Sequence, residues 1–438
     1  MLEDIAYSDY RKQNDIHGTV LYPAVMIAPI QNKILTELIH KNQITSVFDP
    51  FHGSGTALYE ALEIDENLHL VGCDINPLAN LITRVKLEGV SKSIEISIKK
   101  LEKRIYNPCV VDKIDFPNID KWFRKDIIKT LCNIKSAILS IDNDYDRRFF
   151  WVMLCDYIRK YSNTRSSTYK LYKMEDCKIE KIEDCLIKDY IKAIKQSVGK
   201  YTRHTDNYIL YKQDVLQLFK ELPARIFDIS ISSPPYGDNA TTVPYGQFSM
   251  LDLFIIDKRD LQLEGWELEN YSIIDRKSLG GTKKELVMGE FESLLIAPYL
   301  NKISIEKQEK VVRFFNDYFL WLNGLCNVTN KFIVLTLGNR TVDRTKINLT
   351  DITKQYLESK GFKNIEFAER EIPVKRTPKI TSMVNLKPVN SMTKEYIIVH
   401  ERCSSKEEQL KYDEVNGQVN LKNEITDKDL LTFHNAVV

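Results

Sequence analysis

The chain has 438 residues, 43% of them hydrophobic and 28% charged, with 62 Lys and Arg against 61 Asp and Glu. That length suggests two or three structural units, and the composition excludes wholesale disorder. A net charge of +1 excludes a general electrostatic pull on polyanions, so any nucleic acid must be met by local basic surfaces.

The amino terminus, Met1-Leu2-Glu3-Asp4-Ile5, is acidic and lacks the basic start and apolar core of a secretory signal. No run approaches the roughly 18 apolar residues of a membrane helix, so a cytoplasmic protein without membrane contact is expected. Apolar segments bounded by Gly, Pro, Asp or Asn predict strands at Ile44 to Phe48, Leu68 to Gly72, Tyr208 to Tyr211, Phe227 to Ile231, Phe332 to Leu337 and Glu395 to Val399. Helical patterns fall between several of them, which predicts an α/β fold with a parallel, doubly wound sheet and helices on both faces. Between Val90 and about Gly199 the apolar residues recur at helical spacing, as in Ile127, Leu131, Ile134 and Ile138, then Phe149, Met153 and Tyr157, then Leu186, Tyr190 and Ile194. The expected organisation is a discontinuous catalytic domain, 1–90 and 200–403, split by a helical insertion, 91–199, and followed by a polar appendage, 404–438. A further amphipathic helix is predicted from about Ile305 to Leu325. The eight cysteines (73, 109, 132, 155, 177, 185, 326 and 403) form no CxxC pair and read as reduced, buried thiols, with no metal site expected.

Two motifs carry the chemistry. The first is Phe48-Asp49-Pro50-Phe51-His52-Gly53-Ser54-Gly55-Thr56, followed by Gly72-Cys73-Asp74-Ile75-Asn76-Pro77. A strand, a glycine turn and a helix come in that order, and the glycines let the backbone turn tightly and approach a ligand. Asp74 lies at the end of the next strand, where an acid binds ribose hydroxyls. No Lys follows the second glycine, which disfavours a phosphate-cradling ATPase loop, and a dinucleotide site would want a fuller glycine set. The second motif is Ile229-Ser230-Ile231-Ser232-Ser233-Pro234-Pro235-Tyr236-Gly237, an apolar strand that runs into two prolines and an aromatic. Such a corner can hold a flat heterocycle against rigid backbone carbonyls.

Together these motifs resemble the S-adenosylmethionine-dependent DNA amino-methyltransferases, the Ser-Pro-Pro-Tyr type that modifies cytosine N4 or adenine N6. The resemblance implies a Rossmann-like methyltransferase sheet and S-adenosylmethionine as cofactor. It implies that Asp49, with Pro50 and Phe51 beside it, holds the methionine amino group, and that Gly53, Ser54, Gly55 and Thr56 wrap the methionine and ribose portion. Asp74 would take the ribose hydroxyls, with Asn76 and Pro77 alongside. Tyr22-Pro23 resembles the segment beside the methionine end, and Asp214 the acid that meets the adenine amino group. The match extends from about residue 20 to 400, closely at 48–56, 72–77 and 233–237, and more loosely through Gly237 to Ser249, Ser278 to Gly281, Gly338 to Arg340 and Ile372 to Arg376.

An exocyclic amine is a poor nucleophile because its lone pair is delocalised into the ring. Acceptors placed out of the ring plane let the nitrogen pyramidalise, and the resemblance assigns that task to Ser233 and the Pro234 carbonyl, stiffened by Pro235. Tyr236 would stack on a base flipped out of double-stranded DNA. Ser at the head of this motif is usual for cytosine N4, which favours cytosine over adenine. A carbon-5 mechanism would need a thiolate, and Pro108-Cys109 offers only a weak candidate. An RNA amino-methyltransferase acting on transfer RNA guanosine stays open, although no recognisable RNA-binding module precedes the catalytic region. So does a silent DNA-binding subunit that retains the fold, against which the intact Asp49, Asp74, Ser233 and Tyr236 argue. A cognate restriction endonuclease is a partner in keeping with this family. Three stretches are basic without internal acids: Arg159 to Lys173, Arg276 to Lys284 and Lys375 to Lys387. Where the recognition region lies is left between the helical insertion and about 250–300.

Overall fold

In the computed structural model the described residues are 7, 9–108, 111–237, 243–263, 272–281, 285–372, 380–384, 387–390 and 393–403. Cys109, residues 282–284 of one basic stretch, just over half of the stretch 375–387, and the appendage 404–438 therefore lie outside them.

The main sheet has seven strands: β1 (Ser46–Asp49), β2 (His69–Cys73), β3 (Tyr208–Tyr211), β4 (Phe227–Ser232), β5 (Thr329–Gly338), β6 (Phe362–Glu371) and β7 (Lys394–Arg402). Their order is β3-β2-β1-β4-β5-β7-β6. The first five in that order run parallel, whereas β7 is antiparallel to both β5 and β6. The sheet is thus mixed and not purely parallel as expected, since β7 enters between β5 and β6 running opposite to both. It is flanked by helices, an α/β arrangement consistent with a Rossmann-like methyltransferase fold.

Both faces of the sheet are covered, so its strands read as continuous apolar runs whose side chains alternate between two cores. Phe48, Val71, Ile333, Leu335 and Ile398 enter one core, which is shared with the helices Ile305–Val328 and Leu349–Ser359. Val47, Leu70, Phe332, Val334, Ile397 and Val399 enter the other, covered by the helices Ala28–Lys41 and Thr56–Ile64. A third core gathers the helices Ile94–Tyr106, Lys125–Leu139, Asp144–Lys160 and Leu186–Ser197 with one face of the helix Pro77–Glu88 and with Phe248, Leu251 and Leu253. Four long helices within 94–197 therefore share one core with the segment Phe248 to Leu253 that follows the double-proline motif.

The chain changes direction across the sheet at β1, which has β2 on one side and β4 on the other. Ligands of open α/β sheets bind in the crevice beyond the carboxyl ends of the strands at such a switch point. The two sequence motifs leave the sheet there.

Candidate active site

Beyond β1, the turn from Pro50 to Gly55 is held by backbone hydrogen bonds. The Gly55 N–H donates to the His52 carbonyl at 2.7 Å, and the Gly53 N–H donates to Asp74 Oδ2 at 3.1 Å. Gly53 and Gly55 have φ of +51° and +72°, the left-handed region that favours glycine. At Gly55 a Cβ would also fall 2.6 Å from Thr83 Oγ1, so no other residue fits. The helix Thr56–Ile64 begins immediately after it. Two side chains brace the turn from behind: Thr83 Oγ1 donates to the Gly53 carbonyl at 3.1 Å, and Lys86 Nζ donates to the Ser54 carbonyl at 2.7 Å.

Beyond β2, Asp74 Oδ1 accepts the Asn76 N–H at 2.8 Å. Asn76 caps the helix Pro77–Glu88 by accepting the Leu78 N–H at 3.0 Å, which places Pro77 at the first helical position. The Asn76 amide also donates to Tyr22 Oη at 3.1 Å and to Ser249 Oγ at 2.8 Å. Beyond β3, Asp214 caps the helix Val215–Glu221 by accepting the Leu216 N–H at 2.9 Å.

Beyond β4 comes the double-proline corner. Because β4 pairs in parallel with β1, Ser232 arrives beside Asp49 and its hydroxyl donates to Asp49 Oδ1 at 2.8 Å. The Ser233 and Tyr236 hydroxyls lie 3.0 Å apart. Gly237 is approached so closely by Arg340 that a Cβ would sit 2.3 Å from a guanidinium nitrogen.

One cavity joins these ends. Its walls include Tyr22, Pro23, Pro50, Phe51, Gly53, Ser54, Thr56, Asp74, Asn76 and Asp214 on one side and Ser233 and Pro235 on the other. Asp49, Gly55, Pro77, Pro234 and Tyr236 do not line it: Asp49 is fully buried behind the turn, and Tyr236 packs against the core that contains Trp321. Val25, Met26, Tyr245, Ile274, Lys277 and Leu279 also line the cavity, and sequence reasoning singled out none of them as a site residue, though Tyr245 and Leu279 fall in segments that matched loosely. Tyr245 stacks on Tyr22 with centroids 5.9 Å apart, yet nothing in its local sequence separates a wall aromatic from a core one. Lys277 was visible only as one cation in a basic stretch.

The electrostatics suit a cationic, hydroxyl-rich ligand. Asp49 Oδ1 accepts from Ser232 and from the Phe51 N–H, but Oδ2 is buried and has no partner. Burial accordingly pushes the Asp49 carboxyl up to about 7, against the pull of its two donors. Asp49 stands behind the cavity wall, and its unsatisfied buried oxygen is a group that a cation seated against the turn would compensate. Thr56 Oγ1 and Gln213 Nε2 are likewise buried without partners, and both residues line the cavity. Burial also raises Asp74, whose two oxygens each accept one backbone N–H and keep a lone pair for hydroxyl donors. Burial lowers His52, which leaves a neutral ring between Asn80 and Thr83. This donor and acceptor set fits S-adenosylmethionine: an acid for its amino group, an acid for its ribose, and apolar walls from Phe51, Ile75, Val215 and Leu279.

Other expectations divide. Cys73, Cys132, Cys155, Cys326 and Cys403 are buried thiols, but Cys177 and Cys185 are exposed, on the polar outer surface of the helical region. Among the described residues no group of three or more His, Cys, Asp or Glu could hold a metal, and no helix is long and apolar enough to cross a membrane.

A mixed seven-stranded sheet with a glycine turn and an acid at its switch point is consistent with a Rossmann-like methyltransferase fold. Comparison with known proteins bears on the same point. The chain is 29% identical over 404 residues to the type II methyltransferase M.MvaI of Kocuria varians, covering 84% of this chain and 87% of the other. It is 26% identical over 198 residues to the type II methyltransferase M.MjaII of Methanocaldococcus jannaschii, covering 42% of this chain and 34% of that one. A segment of 43 residues is 44% identical to part of the type II methyltransferase M.ScaI of Streptomyces caespitosus, 10% of this chain and 14% of the other. No family model and no solved structure matches. Homology to several type II methyltransferases supports placement in the broad DNA methyltransferase family.

Proposed function

We propose that this chain is a DNA methyltransferase that moves a methyl group from S-adenosylmethionine to the exocyclic amine of a flipped base, with cytosine N4 as the target. The observation that carries this reading is the single cavity shared by Gly53, Ser54 and Asp74 with Ser233 and Pro235. The similarity to a type II methyltransferase over 84% of this chain supports DNA as the substrate.

S-adenosylmethionine, when bound, supplies an electrophilic methyl group on a sulfonium. From behind the turn Asp49 would compensate the amino group through its unpartnered oxygen, the turn from Gly53 to Thr56 would shape the methionine end, and Asp74 would accept from the ribose. Ser233 lines the cavity and the Pro234 carbonyl lies next in the chain; these are the two acceptors proposed for the amine hydrogens. Pro235 keeps Pro234 extended, so the acceptors are fixed before substrate arrives, and positioning carries most of the rate. Tyr236 holds the corner through its contact with Ser233, its ring packed on the core and not on the cavity. The Ser at position 233, in place of an acid or amide, supports cytosine over adenine.

The test is to incubate the protein with methyl-labelled cofactor and fragmented genomic DNA, transfer RNA, or neither, and to identify the labelled nucleoside. N4-methylcytosine from DNA is expected. Label on adenine would contradict the base preference, and label in transfer RNA alone would contradict the DNA reading.

A further inference from the structure

The turn that follows the helix Asp144–Lys160 lies beside the cavity, and nothing above gives it a task. It is a rigid excursion: an isolated antiparallel bridge joins Thr164 to Lys173, the Arg165 N–H donates to the Tyr172 carbonyl at 3.0 Å, and the Met174 N–H donates to the Asn163 carbonyl at 2.8 Å. Its base is fixed by the Asn163 N–H, which donates to the Trp122 carbonyl at 2.7 Å. Its inner side reaches the active site through rings. Tyr169 meets Phe248 edge-on at 5.7 Å, the Arg159 guanidinium lies over the same ring at 5.3 Å, and Phe248 meets Tyr22 edge-on at 5.9 Å. Tyr22 is a cavity wall, so the turn stands two ring contacts from the bound cofactor's expected place.

The outer side has the chemistry of a polyanion contact. No acid occurs from Tyr157 to Met174, and the stretch carries Arg159, Lys160, Arg165, Lys170 and Lys173. Three of these cations are engaged: Arg159 with Phe248 and the Thr168 carbonyl, Lys160 with Asp189, and Lys173 with Asp176. Arg165 is exposed and Lys170 half-exposed, and among the described residues neither has a carboxylate partner. Between them stand three hydroxyls, Ser166, Ser167 and Thr168, and beside them Tyr172 leaves 52% of its surface exposed. Two unneutralised cations, hydroxyl donors and an uncovered aromatic on a pre-ordered turn match the contacts made to phosphate and sugar.

Resting on the reading that the chain methylates DNA, we propose that the turn 164–173 is a duplex-DNA contact, with Arg165 and Lys170 on phosphates and Tyr172 against the strand beside the flipped base. Because Phe248 ties the turn to the cavity wall, this contact holds the duplex close to the site.

The experiment uses the full chain and fragmented genomic DNA. Arg165→Ala with Lys170→Ala should lower the slope of log affinity against log salt by about 2, since each phosphate contact contributes about 1. It should raise KM for DNA about tenfold or more, while kcat and cofactor affinity stay near wild type. The conservative pair Arg165→Lys with Lys170→Arg should keep the wild-type salt slope, which separates lost charge from lost folding. Tyr172→Ala should raise KM without changing the slope. An unchanged slope and KM in the double alanine variant would overturn the inference while leaving the methyltransferase reading intact. If the wild-type protein itself shows neither salt-dependent duplex binding nor DNA labelling, the methyltransferase reading falls and this contact with it.

Discussion

At the scale of single residues, Asp49 is the side chain on which most turns. Its carboxyl ionises at about 7 in the folded chain, well above the ordinary value of 3.8, because burial outweighs the Ser232 and Phe51 donors. Between those values the folded protein holds a proton that the unfolded chain has released, so this group's contribution to stability is largest in acid and declines as pH rises to about 7. Cofactor binding should run the other way, since an ammonium ligand needs the ionised form. Affinity for S-adenosylmethionine is expected to rise about tenfold from pH 6 to pH 8 and to level off above, with Asp49→Asn binding weakly at both. A calorimetric titration at the two pH values checks this, and a flat profile would refute it. Gly55→Ala should abolish cofactor binding, because the new Cβ meets Thr83 at 2.6 Å on a backbone with φ of +72°. Intact binding by that variant would show that the turn rearranges freely.

At the scale of elements, buried polar chains tie the helical region and the cofactor turn to the sheet. Lys86 is 1% exposed and reaches the Ser54 carbonyl and His17 Nδ1, and the far nitrogen of His17 lies 2.7 Å from Glu60. Burial lowers Lys86 to about 7 and His17 to about 3, so the ring is neutral, accepts from Lys86 and donates to Glu60. Lys86→Met leaves both Ser54 and His17 unsatisfied, which should cost about 1–3 kcal/mol and weaken cofactor binding with it. Denaturant titration with and without cofactor measures both. Arg147 forks onto Asp260, which also accepts the Trp151 indole N–H at 2.9 Å, so Asp260→Ala should destabilise by about 3 kcal/mol, Asp144 still facing the arginine. A loss below 1 kcal/mol would mean the pair is not what anchors Asp144–Lys160. Most of the strands that sequence reasoning found are largely buried runs rich in apolar residues, Tyr208–Tyr211 at the sheet edge being the exception. That reasoning missed Phe362–Glu371, whose Lys, Asn, Glu and Arg side chains leave too weak an alternation to detect. Without that strand the antiparallel edge was invisible, and the sheet read as parallel.

At the scale of the whole molecule, the meeting of the two motifs was legible because each sits at the carboxyl end of a strand, and the switch point brings β1 and β4 side by side. The cavity's other wall was not. Val25, Ile274 and Leu279 come from segments far from either motif, and an apolar wall residue carries the same pattern as an apolar core residue. The near-neutral net charge likewise hid where cations stand unpaired, which depends on partners such as Asp189 and Asp176 that only folding brings into place.

The central claim is that the glycine turn and the double-proline corner form one site with divided labour. Its most direct test measures cofactor affinity and single-turnover methyl transfer in parallel for Asp49→Ala and Ser233→Ala. Asp49→Ala is expected to lose cofactor binding, whereas Ser233→Ala should bind cofactor as the wild type does and transfer at least about a hundredfold more slowly. Wild-type transfer by Ser233→Ala, or wild-type cofactor affinity in Asp49→Ala, would contradict the account.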